Sequence, residues 1–200
     1  IMRNGESLTY TIERKIINLP SVSWNLVPDA PSIGLVQVNR IAETTTDEMV
    51  TGINKMIELG ANAFILDLRD NGGGLVESGI EITKLFLAEG EIIHRQFKGE
   101  NVVVFAVEER GLFSDLPIVI WTNGYTASAA EIIAGALSNN GQATLIGAPT
   151  YGKTTIQYVF TLQDGSSLDV TSGRWWITVM TFTLTPDLPV GEDPGGMILL

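Results

Sequence analysis

Ser128 is the one hydroxyl in Ala127-Ser-Ala-Ala130, a run of very small residues between Gly124-Tyr-Thr126 and Glu131-Ile-Ile-Ala-Gly-Ala-Leu137. Two readings fit. Ser128 and Glu131 have the spacing of a capping box, in which a serine and a glutamate three residues on satisfy free backbone donors at a helix start. The same residues suit a nucleophile, because small neighbours let a substrate backbone come close. The helix N-terminus then supplies amide donors and positive potential where an oxyanion would form. Lys153 is the matching candidate base. It follows Gly152 and precedes Thr154-Thr-Ile156, after a loop holding Pro149 and Thr150, with few carboxylates nearby. On a surface it would be a solvated ammonium. In an apolar, water-poor pocket, desolvation favours the neutral amine and lowers the pKa from about 10.4, and a neutral Lys153 could take the Ser128 proton. Such a Ser/Lys dyad acylates serine without histidine or cysteine.

That economy matters because the chain has no cysteine and one histidine. Thiolate catalysis, disulfides and cysteine-ligated metal are excluded, and a Ser/His/Asp triad must use His94 or fail. His94 lies in the strand-like stretch Glu91-Ile-Ile-His-Arg-Gln96, far from Ser128 in sequence, where a paired or half-exposed histidine is expected. The scattered carboxylates offer no metal-ligand spacing, so neither a metal nor another cofactor is expected. Twelve basic against 23 acidic residues give a net charge of -11, which argues against nucleic acid or an anionic membrane as partner. The longest apolar runs, such as Leu116 to Trp121, fall far short of the roughly 18 residues that suggest a membrane span. With 200 residues and 44% apolar content, the chain can bury a sizeable core as one domain. It opens on Ile1 and reads as a mature piece or fragment of something longer.

The elements that must position these residues follow from periodicity. Asn4-Gly5-Glu6 is a turn signal and Leu8 to Ile17 alternates as a strand, while Pro20 to Ser32, with three prolines, reads as a connector. Ile33 to Val38 is a strand. Thr46 caps an amphipathic helix whose apolar face runs from Met49 to Ile57, and Gly60 ends it. Ala63 to Leu68 is nearly continuous and apolar, as in a strand covered on both faces. Arg69-Asp-Asn-Gly-Gly-Gly74 and a helix from Leu75 to Leu87 complete a βα unit. Short strands over Glu91–Phe97 and Val102–Val107 precede a second unit, with Leu116–Trp121 as strand and Ser128–Leu137 as helix. Beyond the short strand Ala143–Ile146 the pattern turns to β: Ile156–Leu162, Ser167–Val170 and Arg174–Met180. The alternation predicts an α/β core with a largely parallel sheet and a β-rich end.

Gly147-Ala-Pro-Thr-Tyr-Gly-Lys-Thr154 also matches the phosphate-binding G-x-x-x-x-G-K-[ST] loop. That loop works only if a helix follows the lysine at once. Here the continuation to Leu162 is β-branched and aromatic with period two, hence a strand, and Pro149 removes one amide donor. Nucleotide binding is set aside on these grounds.

Ser128, Glu131, Thr150, Lys153 and Gln157, with Leu66-Asp-Leu-Arg69 and the glycines after it, resemble the C-terminal processing peptidases, or tail-specific proteases. The likeness runs from Leu19-Pro-Ser-Val22 to Arg174-Trp-Trp176 and Thr185-Pro-Asp187. It implies a Clp protease/crotonase-like α/β core, with a mostly parallel sheet, flanking helices and a β-rich C-terminal part. It implies Ser128 as nucleophile and Lys153 as the base that later protonates the leaving amine. Gln157 would hold the lysine amine, and the backbone N–H groups of Gly74 and Ala129 would face the oxyanion, with Glu131 and Thr150 in support. The resemblance further implies a serine endopeptidase that cuts near the C-terminus of protein substrates through an acyl-enzyme. Its partners would be proteins or peptides with exposed C-terminal tails, a homo-oligomer is left open, and the location would be extracytoplasmic. The family usually carries a PDZ domain before the core, so residues 1–17 read as a remnant strand of a missing PDZ-like domain and 18–200 as the catalytic core. Two positions depart from the family pattern: Gly72 stands where proline is common, and Ile177-Thr-Val-Met-Thr-Phe182 replaces a Ser-Gly-Arg turn. A non-catalytic peptide-binding or scaffold domain of the same fold is the alternative from another class.

Overall fold

Apolar runs too short for buried helices must find strand partners on both edges, and they do so in the computed structural model, which describes residues 1–13 and 19–177. In chain order the elements are β1 (Met2–Arg3), β2 (Glu6–Ser7), β3 (Val22–Val27), β4 (Ala30–Val38), α1 (Thr45–Glu58), β5 (Ala63–Asp67), α2 (Val76–Lys84), β6 (Glu91–Phe97), β7 (Val103–Ala106), β8 (Ile118–Thr122), α3 (Ala129–Asn139), β9 (Ala143–Gly147), β10 (Thr155–Thr161) and β11 (Ser167–Trp176). One sheet has the order β3-β4-β5-β8-β9, parallel from β4 to β9 with β3 antiparallel at its edge. Each parallel step needs a crossover, supplied by α1, by the long excursion through α2, and by α3. The second sheet, β10-β11-β6-β7, is antiparallel throughout. It combines a hairpin inserted between α2 and β8 with the C-terminal hairpin.

Apart from Glu131 the helix α3 is apolar all round from Ala129 to Leu137, and that stretch is buried, as expected of a helix enclosed by other elements. It packs on β6 of one sheet and β9 of the other, and on α2. The α2 contact is close because Gly79 faces Ala129: a Cβ added there would lie 3.2 Å from the alanine Cβ. The fold is thus a mixed α/β architecture with a mostly parallel sheet and flanking helices, as the periodicity predicts.

Several expectations are corrected. The proline-rich connector is a hairpin, β3 and β4, with Pro28 in its turn. Pro31 sits between the Val27↔Ala30 and Leu26↔Gly34 pairs, in the bulge, and before β4 begins pairing with β5 at Ile33, so its missing N–H breaks no ladder bond. The second helix ends at Lys84 rather than Leu87; the carbonyls of Leu85 and Leu87 instead accept from Phe113 and Gly111. The stretches Ser167–Val170 and Arg174–Trp176 form one strand, with a register shift opposite Ile156/Gln157. Residues 8–13 lie outside any strand, after a small hairpin around Asn4 and Gly5. Residues 14–18, Thr178 to Met180 of the last expected strand, and the segments Ile177–Phe182 and Thr185–Asp187 fall wholly or mainly outside the described residues.

Glu48, in the first turn of α1, fastens that helix to β3. Its Oε2 accepts from Ser21 N (2.7 Å), Ser21 Oγ (3.0 Å) and Val22 N (3.0 Å), and its Oε1 from Thr44 Oγ1 (2.7 Å). Burial pushes this carboxyl upward, but the hydrogen bonds from Thr44, Val22 and Ser21 prevail and hold it below its ordinary value. A depressed carboxylate pKa adds stability above the unfolded-state value, and that stability disappears as pH falls through the folded value. Glu48→Gln should therefore cost about 1 kcal/mol in urea unfolding at pH 7, with the gap from the parent protein closing below the usual carboxylate range.

Candidate active site

Three loops leave the C-terminal ends of neighbouring parallel strands: 68–75 after β5, 123–128 after β8 and 148–154 after β9. That edge is where open α/β sheets bind ligands. The middle loop is pinned first. The buried Thr126 hydroxyl accepts from Asn123 N (3.0 Å) and donates to Leu68 O (2.8 Å), while Ala127 N donates to Asn71 O (2.9 Å). So held, the chain turns at Ser128 with φ 56° and ψ -122°. For a residue with a Cβ this backbone costs on the order of 1–3 kcal/mol and persists only where the surroundings impose it. A strained strand-to-helix turn that presents a hydroxyl is the geometry of a nucleophile elbow.

Glu131, fully buried in the first turn of α3, does more than cap. Its Oε2 accepts from Ser128 N (2.7 Å), as the capping-box spacing predicts, and also from Lys153 N (2.9 Å), while Oε1 accepts from Gly152 N (2.6 Å). One carboxylate therefore binds the serine turn to the lysine loop. These are the amides that a phosphate loop would offer to a nucleotide, and β10 rather than a helix follows them. The phosphate-loop reading has no structural basis here.

The glycine loop completes the floor. Asp67, nearly buried, receives Arg69 in a bidentate pair (2.8 and 2.7 Å), and Arg69 lies 4.7 Å from the Trp121 ring centre. The Asp67 hydrogen bonds raise the guanidinium pKa, against a lesser opposing effect of burial. Asn71, fully buried, donates to Val38 O (2.7 Å) and accepts from Gly73 N (2.8 Å). Asp70 and Asn123 bond reciprocally across the two loops. Gly73 (φ 94°) lies against the serine turn, where an added Cβ would come within 2.8 Å of Ser128 Cβ. Gly74 (φ 151°) is pressed so closely onto Ile41 that a side chain would overlap its carbonyl. Among the described residues, neither Gly74 N–H nor Ala129 N–H has an acceptor.

Ser128, Lys153, Gln157 and Gly74 line one cleft of about 340 Å3, with Leu75, Val76, Phe97, Ile156 and Tyr158 as its apolar wall. Gln157 stands at the register shift of β10, and its amide nitrogen donates to Thr155 Oγ1 (3.0 Å). Ala129 and Glu131 are fully buried and are not in the cleft lining. Thr150 is not in the cleft lining, and its buried Oγ1 has no partner among the described residues. His94 pairs with Glu91 (2.9 Å) and stacks on Trp176, away from the cleft lining. Sequence reasoning missed Asn71, Thr126 and the Asp70–Asn123 link. Their one local signal is an Asx- or Thr-rich turn, and the partners lie on other loops.

Glu131→Gln would turn an amide NH2 towards backbone N–H donors and remove charge-assisted bonds worth about 1.5–3 kcal/mol each. Amide hydrogen exchange at Gly152 and Lys153 is expected to speed up at least about tenfold, more than at β8 amides. Equal protection in the two proteins would show that this carboxylate does not hold the loop.

Comparison with known proteins follows the same residues. The family model described as peptidase family S41 matches residues 32–190. The chain is 36% identical over 168 residues to a carboxyl-terminal-processing protease of Synechocystis, covering 83% of this chain and 39% of that protein. It is 38% identical over 175 residues to the chloroplastic carboxyl-terminal-processing peptidase 1 of Arabidopsis thaliana, covering 86% of this chain and 36% of the relative. The chain thus spans well under half the length of these curated relatives. Among solved structures it resembles the photosystem II D1 C-terminal processing protease, with a TM-score of 0.68 and 26% identity over 82% of this chain and 45% of the other. A Bacteroides fragilis structure titled as a putative S41 protease shares the fold, with a TM-score of 0.66 and 17% identity over 82% and 47% of the two chains.

Proposed function

The chain belongs to peptidase family S41, and from that premise we propose that it is the catalytic core of a serine endopeptidase cutting near the C-terminus of protein substrates. The observation that supports this most is that Ser128 and Lys153 line one cleft, with their backbones tied to the same buried carboxylate. A neutral Lys153 amine takes the Ser128 proton as Oγ adds to the scissile carbonyl carbon. The resulting oxyanion accepts from Gly74 N–H and Ala129 N–H, which have no acceptor among the described residues. Collapse breaks the C–N bond, Lys153 returns the proton to the leaving amine, and the acyl group stays on Ser128 as an ester. Water then adds to that ester with Lys153 again as base, releasing the carboxylate and restoring the hydroxyl. Gln157 has its donor end on Thr155, which leaves the amide oxygen to orient the lysine amine. Glu131 and Thr150 support the two loops.

In the same reading residues 1–17 belong to a PDZ-like domain and residues 18 onward to the core, with substrates drawn from proteins that expose C-terminal tails. Among the described residues no helix is long and apolar enough to cross a membrane. An extracytoplasmic setting accords with relatives named as chloroplastic.

A fluorophosphonate probe should label Ser128 in the full-length protein, and Ser128→Ala or Lys153→Ala should lower kcat/KM at least about a thousandfold. Peptide binding with no labelling and no turnover would favour the non-catalytic scaffold, and full cleavage by either variant would refute the dyad.

A further inference from the structure

The cleft holds a cation that the reaction above does not use. Its titratable lining is Glu77, Arg95, Lys153 and Tyr158, and Lys153 is already taken up by the reaction, which leaves Arg95 as the cation without a role. Arg95 and Phe97 share a face of β6 by strand alternation, and both line the cleft. The guanidinium carbon lies 5.3 Å from the Phe97 ring centre and 4.5 Å from that of Phe105, which fixes the fork by cation–π contact. Yet its hydrogen bonding is incomplete. Nη1 meets Glu77 Oε1 at 2.8 Å, while Nε is buried with no partner among the described residues. Arginine carries five donors arranged to take a carboxylate with two parallel bonds. Glu77 uses one of them from a side chain that is 72% exposed, against 20% for Arg95, so it can swing into solvent at little cost.

We propose that Arg95 is a carboxylate-recognition residue of this cleft, and that a carboxylate of the bound peptide takes the guanidinium fork in place of Glu77. The inference rests on the cleft being the peptide site. The carboxylate comes from one of two sources, the end of the tail or an acidic side chain within it, and both present the same two oxygens. Glu77 acts as the internal stand-in that keeps the arginine paired while the cleft is empty.

Binding can be read apart from turnover in the full-length protein carrying Ser128→Ala, using fluorescence anisotropy of labelled peptides. A peptide ending in a free carboxylate should bind about tenfold tighter than its carboxamide twin, and adding Arg95→Gln should cut that ratio by about tenfold. A second pair, both amidated at the end and differing by Glu or Gln within the tail, reads the side-chain source in the same way. A ratio that depends on Arg95 in either pair supports the proposal and names the source. Glu77→Gln, a change at an exposed position, should tighten the acidic peptide several-fold and leave the neutral twin as it was. Ratios unmoved by Arg95→Gln in both pairs, or binding of every acidic peptide unmoved by Glu77→Gln, would overturn the proposal. Cleavage by the Ser128→Ala protein would overturn the serine mechanism instead, while the equilibrium ratios would still report on Arg95.

Discussion

The arrangement of this site depends on one buried carboxylate. A fully buried, unpaired charge is costly, and Glu131 is tolerable there because three backbone N–H groups from two loops converge on it. Two of those donors belong to Gly152 and Lys153, so the lysine loop cannot leave without stranding a charge. The third belongs to Ser128, whose backbone is itself held in an unfavourable region. Serine and lysine are thereby placed by the same group, and neither position is set by its own loop alone.

The rest of the fold supplies the frame for that bond. β5, β8 and β9 lie side by side and parallel, so their following loops emerge along one edge. Leu68 and Asn71 from the first loop hold Thr126 and Ala127 from the second, and Thr126 O in turn accepts from Tyr151 N of the third. The glycine loop must approach closely, since Gly74 meets the Ile41 carbonyl and Gly73 the serine turn. Among the described residues the Gly74 and Ala129 amides have no acceptor, which leaves them available to the oxyanion of the proposed reaction. The second sheet closes the other side of the cleft with Arg95, Phe97 and Tyr158.

Much of this was legible in the residues. Continuous apolar runs at Ala63 and Leu116 announced buried strands, and the chain after Lys153 announced a strand by its period. The hairpin at Val22–Val38 was not, because proline reads as a breaker unless it is known that Pro28 falls in a turn and Pro31 at a bulge. Helix α2 ended early for a similar reason: carbonyls near its end were claimed by residues more than 20 positions away in sequence. Glu131 was legible as a cap, since that bond is local. Its bonds to Gly152 and Lys153 were not, and neither was the pairing of Arg95 with Glu77.

The sequence by itself determined the chemistry on offer: a hydroxyl among small residues at a helix start, a lysine after a glycine, no thiol and one distant histidine. It also determined the alternation of strand and helix, because periodicity reports which face of an element must be buried. Only the tertiary structure decided which of these groups meet. Parallel strand order brought three separated loops to one edge, and a second sheet placed an arginine in the same cleft as the serine. Local preferences act over a few residues, whereas the partners of a buried charge or an aromatic-clamped guanidinium are chosen by how whole layers pack.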